Sequence, residues 1–439
     1  MEIIYDSKGL PAMFASSRIF GVTQTPKETI ERTNDTFSVG KREFVCWGSS
    51  NQYPAEAEAV IGRTGVLSTG LGFKARATLG QGVVPMDVDG FDENGDMVLK
   101  PCQDKDVQQF FRSWQCMSYM SAAFRDLFKF GNCYPVFFFN EKGDKIVRIT
   151  VINARHCRLS VDKKHLLVYN DFDKSMPDEK NSTLITMLDE GDPFLDLELL
   201  KNAGKLKGQS IAFPRLKNYF SNSDYYALPD WDSAMKSGWI EIANKIPKFL
   251  AKSYANAMTL MWHVKVPRTY WEKHFPKNDY KTTDERKKAI EQFMTDMENN
   301  LCGEENVSKA FFSTYGLGAS GKDEGWEIER LENEIDAKER LSTSAAANSE
   351  ILFSLMINPS VFGAGMPGGA YAGNAGSGSD IRESFLVSIV TTYIEKQQVL
   401  FPILLMLKYN GHSEDIILKY KETILTTLNT GQSKEDITT

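Results

Sequence analysis

Residues 363–380 read GAGMPGGAYAGNAGSGSD, and seven of the first sixteen positions of this stretch are glycine. Most of the other positions are Ala, Ser or Asn, so the stretch has too little apolar side chain to help build a core. A helical pattern ends before it at Met356, and another begins after it at Asp380, with Glu383 placed as in a capping box. The sequence therefore predicts a long glycine-rich loop between two helices, either a flexible linker or a functional loop.

Two long helices and a compact module precede this loop. Helical periodicity runs through residues 230–258 from an aspartate N-cap, and Pro247 is expected to kink this helix because proline removes a backbone hydrogen bond. Strand-like segments and a charged helix within residues 261–331 predict a small βαβ-like unit. A second long helix covers residues 332–356 and carries the small residues 342–347. This order is the distinctive feature of the chain, although a multidomain globular protein with a disordered linker is the plainer alternative.

The first 225 residues combine helices with strands. An amphipathic pattern predicts a helix over residues 104–129, which Gly131 ends in the manner of a C-cap. The β-prone runs 134–139 and 146–152 flank a turn and predict a hairpin. Residues 1–41 show no sustained period and predict an arm or an irregular wrap. The expected fold class is therefore α+β.

The composition argues against several functional classes. The chain has 439 residues, with 51 Lys and Arg against 58 Asp and Glu, a net charge of −7. A free-standing nucleic-acid binder usually carries surplus positive charge, so tight groove binding is not expected, whereas transient contact with a polyanion remains open. A hydrophobic content of 42% is typical of globular proteins, and the length predicts two to three domains.

No feature of the sequence indicates export, a membrane or a metal. The first ten residues, MEIIYDSKGL, lack the basic and apolar regions of a secretory signal, so we expect a protein that is intracellular when made. The longest apolar run, residues 399–407, contains Pro402 and is nine residues long, against about 20 for a membrane-spanning helix. The six cysteines form no C-x-x-C pair and have no histidine at metal-ligand spacing, so we expect reduced thiols and no metal site.

Two stretches imitate nucleotide-binding motifs. Residues 363–368 match G-x-G-x-x-G, but that fingerprint must follow a strand and open a helix, whereas here a helix precedes it and Pro367 lies inside it. Residues 318–323, GASGKD, have too short a spacing for a phosphate loop, and Asp323 replaces the required hydroxyl. We therefore expect no cofactor, no catalytic residue and no enzymatic activity. A nucleotide-binding enzyme that uses the glycine-rich loop is the alternative from a different class.

Four groups of segments, taken together and in order, resemble the portal proteins of tailed bacteriophages (Caudoviricetes). They are FVCWGSSNQYPAEAEAVI with GLGFKARATLGQGV, FRDLFKFGNCYPVFFF with VINARHCRLS, YYALPDWDSAMKSGWIEI, and MINPSVFGAG. The resemblance covers residues 44–410, and the Asn-Gln-Tyr-Pro run at 51–54 is most similar to portals of phages that infect Bacteroidetes-type hosts.

The resemblance implies a portal fold, with a mixed α/β wing, and assigns a part to each segment. The implied parts are the N-terminal wing at 1–229, stem helix 1 at 230–258, the clip at 259–331, stem helix 2 at 332–357, the tunnel loop at 358–379, the long wing helix at 380–410, and a C-terminal tail or reduced crown at 411–439. Only 29 residues follow Asn410, too few for the large helical crown of some portals.

The resemblance also implies partners and a location. Family members form closed rings, usually of 12 copies, at the unique vertex of the capsid, where DNA is packaged and ejected. The implied partners are further copies of the chain, the major capsid protein, the large terminase subunit, a head–tail adaptor and double-stranded DNA, with no membrane. The implied location is the virion, after assembly in the host cytoplasm. Another head–tail connector component is the alternative within this class.

Two sets of residues carry the expected contacts. The DNA-facing set in the tunnel loop is Gly363, Gly365, Gly368, Gly369, Tyr371, Gly373, Asn374, Gly376 and Gly378. The clip set, expected to present an edge to a neighbouring subunit and to the adaptor or packaging motor, is Val264, Lys265, Arg268, Tyr270 and Trp271.

The charge of the chain fits a conduit for DNA. Each Lys or Arg that pairs with a phosphate adds affinity, and such affinity would stall a moving duplex. Twelve copies of a chain with charge −7 would carry about −84 in total, and the charges would act together inside a narrow pore. Glycine in the tunnel loop would let the backbone approach the duplex closely.

Overall fold

The computed structural model describes residues 2–5, 11–15, 35–92, 95, 97–221, 223–257, 262–301, 310–315, 327–330, 337–362 and 378–422. Helices and strands both contribute, so the α+β class is confirmed. Among these described residues, no helix is long and apolar enough to cross a membrane.

Two antiparallel strand pairs come first. They are β1 (Glu2–Tyr5) with β2 (Pro11–Ala15), and β3 (Thr36–Val39) with β4 (Arg42–Val45). The prediction of an irregular segment over residues 1–41 is therefore wrong for these strands. Each strand has only four or five residues, too few to show a sustained period, and cross-strand pairing stabilises them instead.

A helical layer and a small sheet follow. The helices are α1 (Tyr53–Arg63), α2 (Gly65–Leu79), α3 (Lys105–Phe111) and α4 (Trp114–Phe130); between α2 and α3 lie β5 (Val83–Phe91) and β6 (Met97–Pro101). The predicted helix 104–129 is therefore two helices. Asp104 caps α3 by accepting hydrogen bonds from two backbone amides, and the hydroxyl of Ser113 caps α4 by accepting from the amide of Cys116. Each cap favours a new helix start over continuation.

A seven-stranded sheet lies beside α4. Its strands are β7 (Asn132–Phe139), β8 (Ile146–Ile152), β9 (Cys157–Leu159), β10 (His165–Val168), β11 (Thr183–Met187), β12 (Ser210–Ala212) and β13 (Leu216–Lys217), with α5 (Pro193–Asn202) between β11 and β12. The order is β13-β7-β12-β11-β10-β9, with β8 on β7, and only β11 and β12 pair in parallel. The predicted hairpin of β7 and β8 is confirmed. Strand β7 is almost wholly buried, so it forms the centre of the core with α4.

The chain then leaves this core through two helices and re-enters it through one. They are α6 (Asp232–Lys236), α7 (Trp239–Ala257) and, on return, α10 (Ala337–Ser354), which packs against α7. The helix predicted from residue 230 is interrupted at Gly238, whose φ of +87° is incompatible with a right-handed helix. Pro247 lies inside α7, so it does not end that helix.

A module between α7 and α10 consists of β14 (Trp262–Pro267), α8 (Arg268–His274), α9 (Thr283–Leu301), β15 (Ala310–Tyr315) and β16 (Glu327–Arg330). Strand β14 pairs in parallel with β15 and antiparallel with β16. The helices α8 and α9 lie in the crossover from β14 to β15, which makes the module a βαβ unit with one added strand. Strand β14 ends at Pro267, because the chain turns directly into α8 there.

The last described elements are α11 (Gly378–Val390), α12 (Tyr393–Tyr409) and β17 (Ile416–Tyr420). The single helix predicted over 380–410 is interrupted at two threonines, Thr391 and Thr392, whose hydroxyls donate to the carbonyls of Ser388 and Ile389. Pro402 lies within α12 and does not end it. Strand β17 pairs with β5, so part of the segment expected to be a tail or reduced crown completes the β17-β5-β6 sheet.

Candidate functional site

A buried arginine joins two of the segments that resemble portal proteins. Arg158, in β9, is 1% exposed, and its Nε donates to Oδ1 of Asn51 at 2.5 Å while one Nη donates to the carbonyl of Asn51 at 2.8 Å. Its other Nη donates to the carbonyls of Arg155 and Cys157. Burial lowers the pKa of Arg158, but an arginine side chain keeps its charge. The oxygens that accept from Arg158 therefore stabilise its buried positive charge. The same hydrogen bonds fix the turn at Asn51, whose φ is +58°, to the sheet.

An aromatic stack joins a third segment to the same place. The ring of Trp47 lies parallel to that of Tyr226 with centroids 4.5 Å apart. The hydroxyl of Tyr226 donates to the carbonyl of Val45 and accepts from the amide of Leu159. Tyr226 therefore bridges β4 and β9 immediately before the chain enters α6.

The Gly-Asn pair at the end of α4 contacts the same connection. Gly131 has a φ of +69°, and a Cβ there would lie 2.8 Å from the carbonyl oxygen of Ala227. The side chain of Asn132 donates to that oxygen at 2.7 Å and accepts from the amide of Ala227 and from Arg215. The indole of Trp231 donates to the carbonyl of Lys129. The start of α6 is thus fixed to the end of α4.

The fourth segment packs nearby, against α2. Helix α10 ends at Ser354, and two residues later Met356 has a φ of +57°, which is unusual for a residue other than glycine. Leu355 and Ile357 are buried, and a Cβ on Gly70 would lie only 2.5 Å from a methyl of Leu355. The segments of the resemblance therefore meet where α6 leaves the core and α10 returns. We call this region the stem junction: residues 47–53, 70, 131–132, 158, 226–231 and 355–357.

The small residues of the second long helix pack within the chain. Ala345 and Ala347 are buried, and α10 lies against α7 and α2. Small side chains permit close approach of two helices, and here the helices belong to one subunit.

The expected clip contacts divide into buried and accessible residues. Val264 is fully buried in β14, the central strand of its sheet, and Trp271 is 7% exposed within a cluster with Phe275 and Phe293. The expectation of an exposed edge is corrected for these two, because both side chains fill the core of the module. Lys265 and Tyr270 are half-buried, and Arg268 begins α8. Contact of the clip with a partner stays a prediction.

The expected DNA-facing residues fall almost wholly outside the described residues. Gly363, Gly365, Gly368, Gly369, Tyr371, Gly373, Asn374 and Gly376 belong to residues 363–377, of which the structure describes nothing. Gly378 is the first residue of α11. The loop is therefore placed only by its flanks: a short 3-10 helix at Pro359–Phe362 and α11.

Within the described part of the chain, no group of three or more His, Cys, Asp and Glu could hold a metal ion. Cys46, Cys102, Cys116, Cys133 and Cys157 are free thiols, and burial raises the pKa of Cys133 and Cys157. Sequence reasoning missed one pair: Nδ1 of His412 lies 2.7 Å from Oδ2 of Asp104. No sequence signal could show this contact, since 308 residues separate the two.

Exposed apolar side chains mark two further surfaces. Helix α12 lines a cavity of about 660 Å³ together with residues from α5 and the region around β13, and Tyr393, Ile394 and Phe401 in its wall are exposed. On α4, Trp114 is 82% exposed and Met117 49%. Exposed apolar patches on soluble proteins commonly mark contact sites.

No protein-family model matches the chain, and no curated protein matches it. Solved structures do match. The chain shares its fold with chains of gene transfer agent (GTA) particles. One is from the neck of a native GTA particle computed with C12 symmetry, with a TM-score of 0.51, 13% identity, and coverage of 89% of this chain and 87% of the other. Another is from the virion of a native GTA particle, with a TM-score of 0.54, 14% identity and coverage of 87% and 86%. A third is from the neck of an empty GTA particle computed with C6 symmetry, with a TM-score of 0.55, 14% identity and coverage of 88% and 87%.

Proposed function

We propose that this chain is the subunit of a phage portal: a closed ring, of about 12 copies, at the unique vertex of a capsid. One observation carries the proposal. The order of elements is the one that the portal resemblance implies: a mixed α/β part, then the paired helices α7 and α10 with the βαβ module between them. The same fold is shared, over nearly nine tenths of the chain, with neck chains of symmetric particles.

In this proposal each part has a mechanical task. Helices α7 and α10, 19 and 18 residues long, form a rigid stem of about 28 Å at 1.5 Å per residue. The stem carries the βαβ clip away from the wing, where it contacts the packaging motor or the adaptor. The glycine-rich residues 363–377 lie between the wing-facing end of α10 and α11, and they face the DNA. Capsid protein contacts the wing.

The proposal assigns no chemical step to the protein. The ring lets double-stranded DNA pass during packaging and ejection without holding it, because each subunit is net acidic and lacks the surplus positive charge that binds phosphates. The protein acts in the virion after assembly in the host cytoplasm. Another head–tail connector component is the second candidate in this class, but it would lack a module inserted between two long helices.

Native mass spectrometry and negative-stain microscopy of the purified protein test the proposal. A ring of about 12 copies is expected, and a stable monomer at high concentration would overturn it. The enzyme alternative predicts thermal stabilisation by millimolar nucleotide that disappears in a Gly365→Ala, Gly368→Ala variant. We expect no shift with nucleotide in either protein.

A further inference from the structure

We propose that the cavity beside α12 receives the exposed end of α4 from the next copy of this chain. The proposal rests on the proposed ring and names the contact that closes it. The cavity, here the wing cavity, has a volume of about 660 Å³ and is walled by Phe194, Phe213, Leu216, Ile394, Phe401 and Leu404. The matching projection, here the α4 knob, consists of Trp114 and Met117.

The two surfaces face opposite ways from one pair of helices. Tyr119 of α4 donates to the carbonyl of Val399 in α12, which shows where these helices touch. At 100° per residue, Trp114 and Met117 lie about 140–200° around α4 from Tyr119. By the same rule, Ile394 and Phe401 lie about 140–200° around α12 from Val399. The wing cavity and the α4 knob are therefore on opposite sides of a two-helix layer.

This arrangement selects a head-to-tail partner. A two-fold dimer could seat each knob in the partner's cavity only if both surfaces lay on one face; because they lie on opposite sides, such a dimer would leave either the wing cavity or the α4 knob uncovered. A closed cyclic ring requires two different, complementary faces on each subunit, and a concave and a convex apolar face on opposite sides satisfy that requirement.

The chemistry of the two faces is complementary. Trp114 is the most exposed of the large apolar side chains in the described part of the chain, and it lies at the N-terminus of α4, where no other helix covers it. Tryptophan is one of the residue types enriched among the side chains that anchor interfaces in pockets. Exposed Arg112 lies beside the α4 knob, and the wall of the wing cavity carries Asp192, which caps α5, together with Glu190, Arg215 and Lys408. An apolar centre with a rim of mixed charge is typical of stable interfaces, and Asp192 is available to pair with Arg112.

The test uses two variants, each lacking one face. Trp114→Ala removes the α4 knob and leaves the wing cavity, whereas Phe401→Asp places a charge in the wing cavity and leaves the α4 knob. Both side chains are exposed in the subunit, so both variants should fold, which circular dichroism and thermal melting check. Met176→Ala and Met176→Asp, at a residue 60% exposed and distant in sequence from both faces, are the matched controls.

Sedimentation velocity and native mass spectrometry give the readout. We expect rings from the wild-type protein and both controls, and monomers from each variant alone, with association at least about 30-fold weaker. An equimolar mixture of the variants should form heterodimers and nothing larger, because only one intact pair of faces is available. Rings from either variant, or no heterodimer in the mixture, would overturn the inference while the wild-type ring, and with it the proposed function, stands. A wild-type monomer would overturn the proposed function itself.

Discussion

Replacing Gly131 by alanine tests whether the close approach at the stem junction stabilises the fold. The residue has a φ of +69°, and a Cβ would lie 2.8–2.9 Å from three backbone atoms of Ala227 and Leu228. These atoms cannot move alone, because Asn132 forms two hydrogen bonds with the backbone of Ala227. The substitution therefore has both a conformational and a steric cost.

A second glycine separates the two costs. Gly204 has a φ of +67°, but a Cβ there would meet nothing within 4 Å. Gly204→Ala should cost only the left-handed backbone term, about 1–2 kcal/mol. Gly131→Ala adds the displacement of the facing backbone and two buried hydrogen bonds at about 1 kcal/mol each, for about 3–4 kcal/mol in all.

Urea unfolding followed by tryptophan fluorescence measures the difference, at a concentration where both variants and the wild type have the same oligomeric state. The free energy of unfolding should fall at least about 2 kcal/mol further in Gly131→Ala than in Gly204→Ala. Equal losses would refute the reasoning, since they would mean that only the backbone conformation matters at Gly131.

Three further predictions concern the buried arginine, the acidic cap and the glycine-rich loop. Arg158→Met leaves buried oxygens without donors and should lower the free energy of unfolding by about 3 kcal/mol or more. Arg148→Met, at an exposed residue, should lower it by about 1 kcal/mol or less in the same assay. Similar losses in the two variants would contradict the role assigned to Arg158. Asp104 is partly buried, which opposes ionisation, but hydrogen bonds from His412 and from backbone amides outweigh this and lower its pKa. Ionised Asp104 therefore stabilises the fold above about pH 4, and this contribution is lost as the pH falls through its lowered pKa. In Asp104→Asn the free energy of unfolding should fall less steeply with decreasing pH in this acidic range than in the wild type. An unchanged pH dependence would refute this. Deletion of residues 365–376 should leave ring assembly intact in native mass spectrometry and impair DNA packaging, and loss of rings would instead make the loop structural.

The sequence predicted the elements whose signals are local. The amphipathic pattern around α4, the aromatic hairpin of β7 and β8, and the helix–module–helix order all rest on periodicity within short windows. Helix interruptions were missed because they depend on single residues: the Ser113 cap, the left-handed Gly238 and the hydroxyls of Thr391 and Thr392 each end or start a helix inside an otherwise continuous pattern.

The candidate site was predictable as a set of segments and not as a set of contacts. The motifs of the resemblance identified the residues of the stem junction, but the bond from Arg158 to Asn51 spans 107 positions and the pairing of β17 with β5 joins the two ends of the core. Contacts over such separations leave no trace in one sequence. The burial of individual side chains was equally hidden from the sequence: Trp271 is of a residue type that is enriched at interfaces, yet it fills the core of the βαβ module together with Val264.

The position of the βαβ module between α7 and α10 has a consequence for how such chains diversify. The main buried core is assembled from two separate stretches, since Ile240 and Ile351 belong to the same buried cluster although the whole module lies between them. For a flexible loop, each doubling of length costs only about 0.6 kcal/mol of closure entropy. The main core should therefore tolerate an exchange of the module for one of a different size, provided that α7 and α10 still pair. Under the proposed function, recombination between relatives would then replace the surface offered to the motor while leaving the core unaltered.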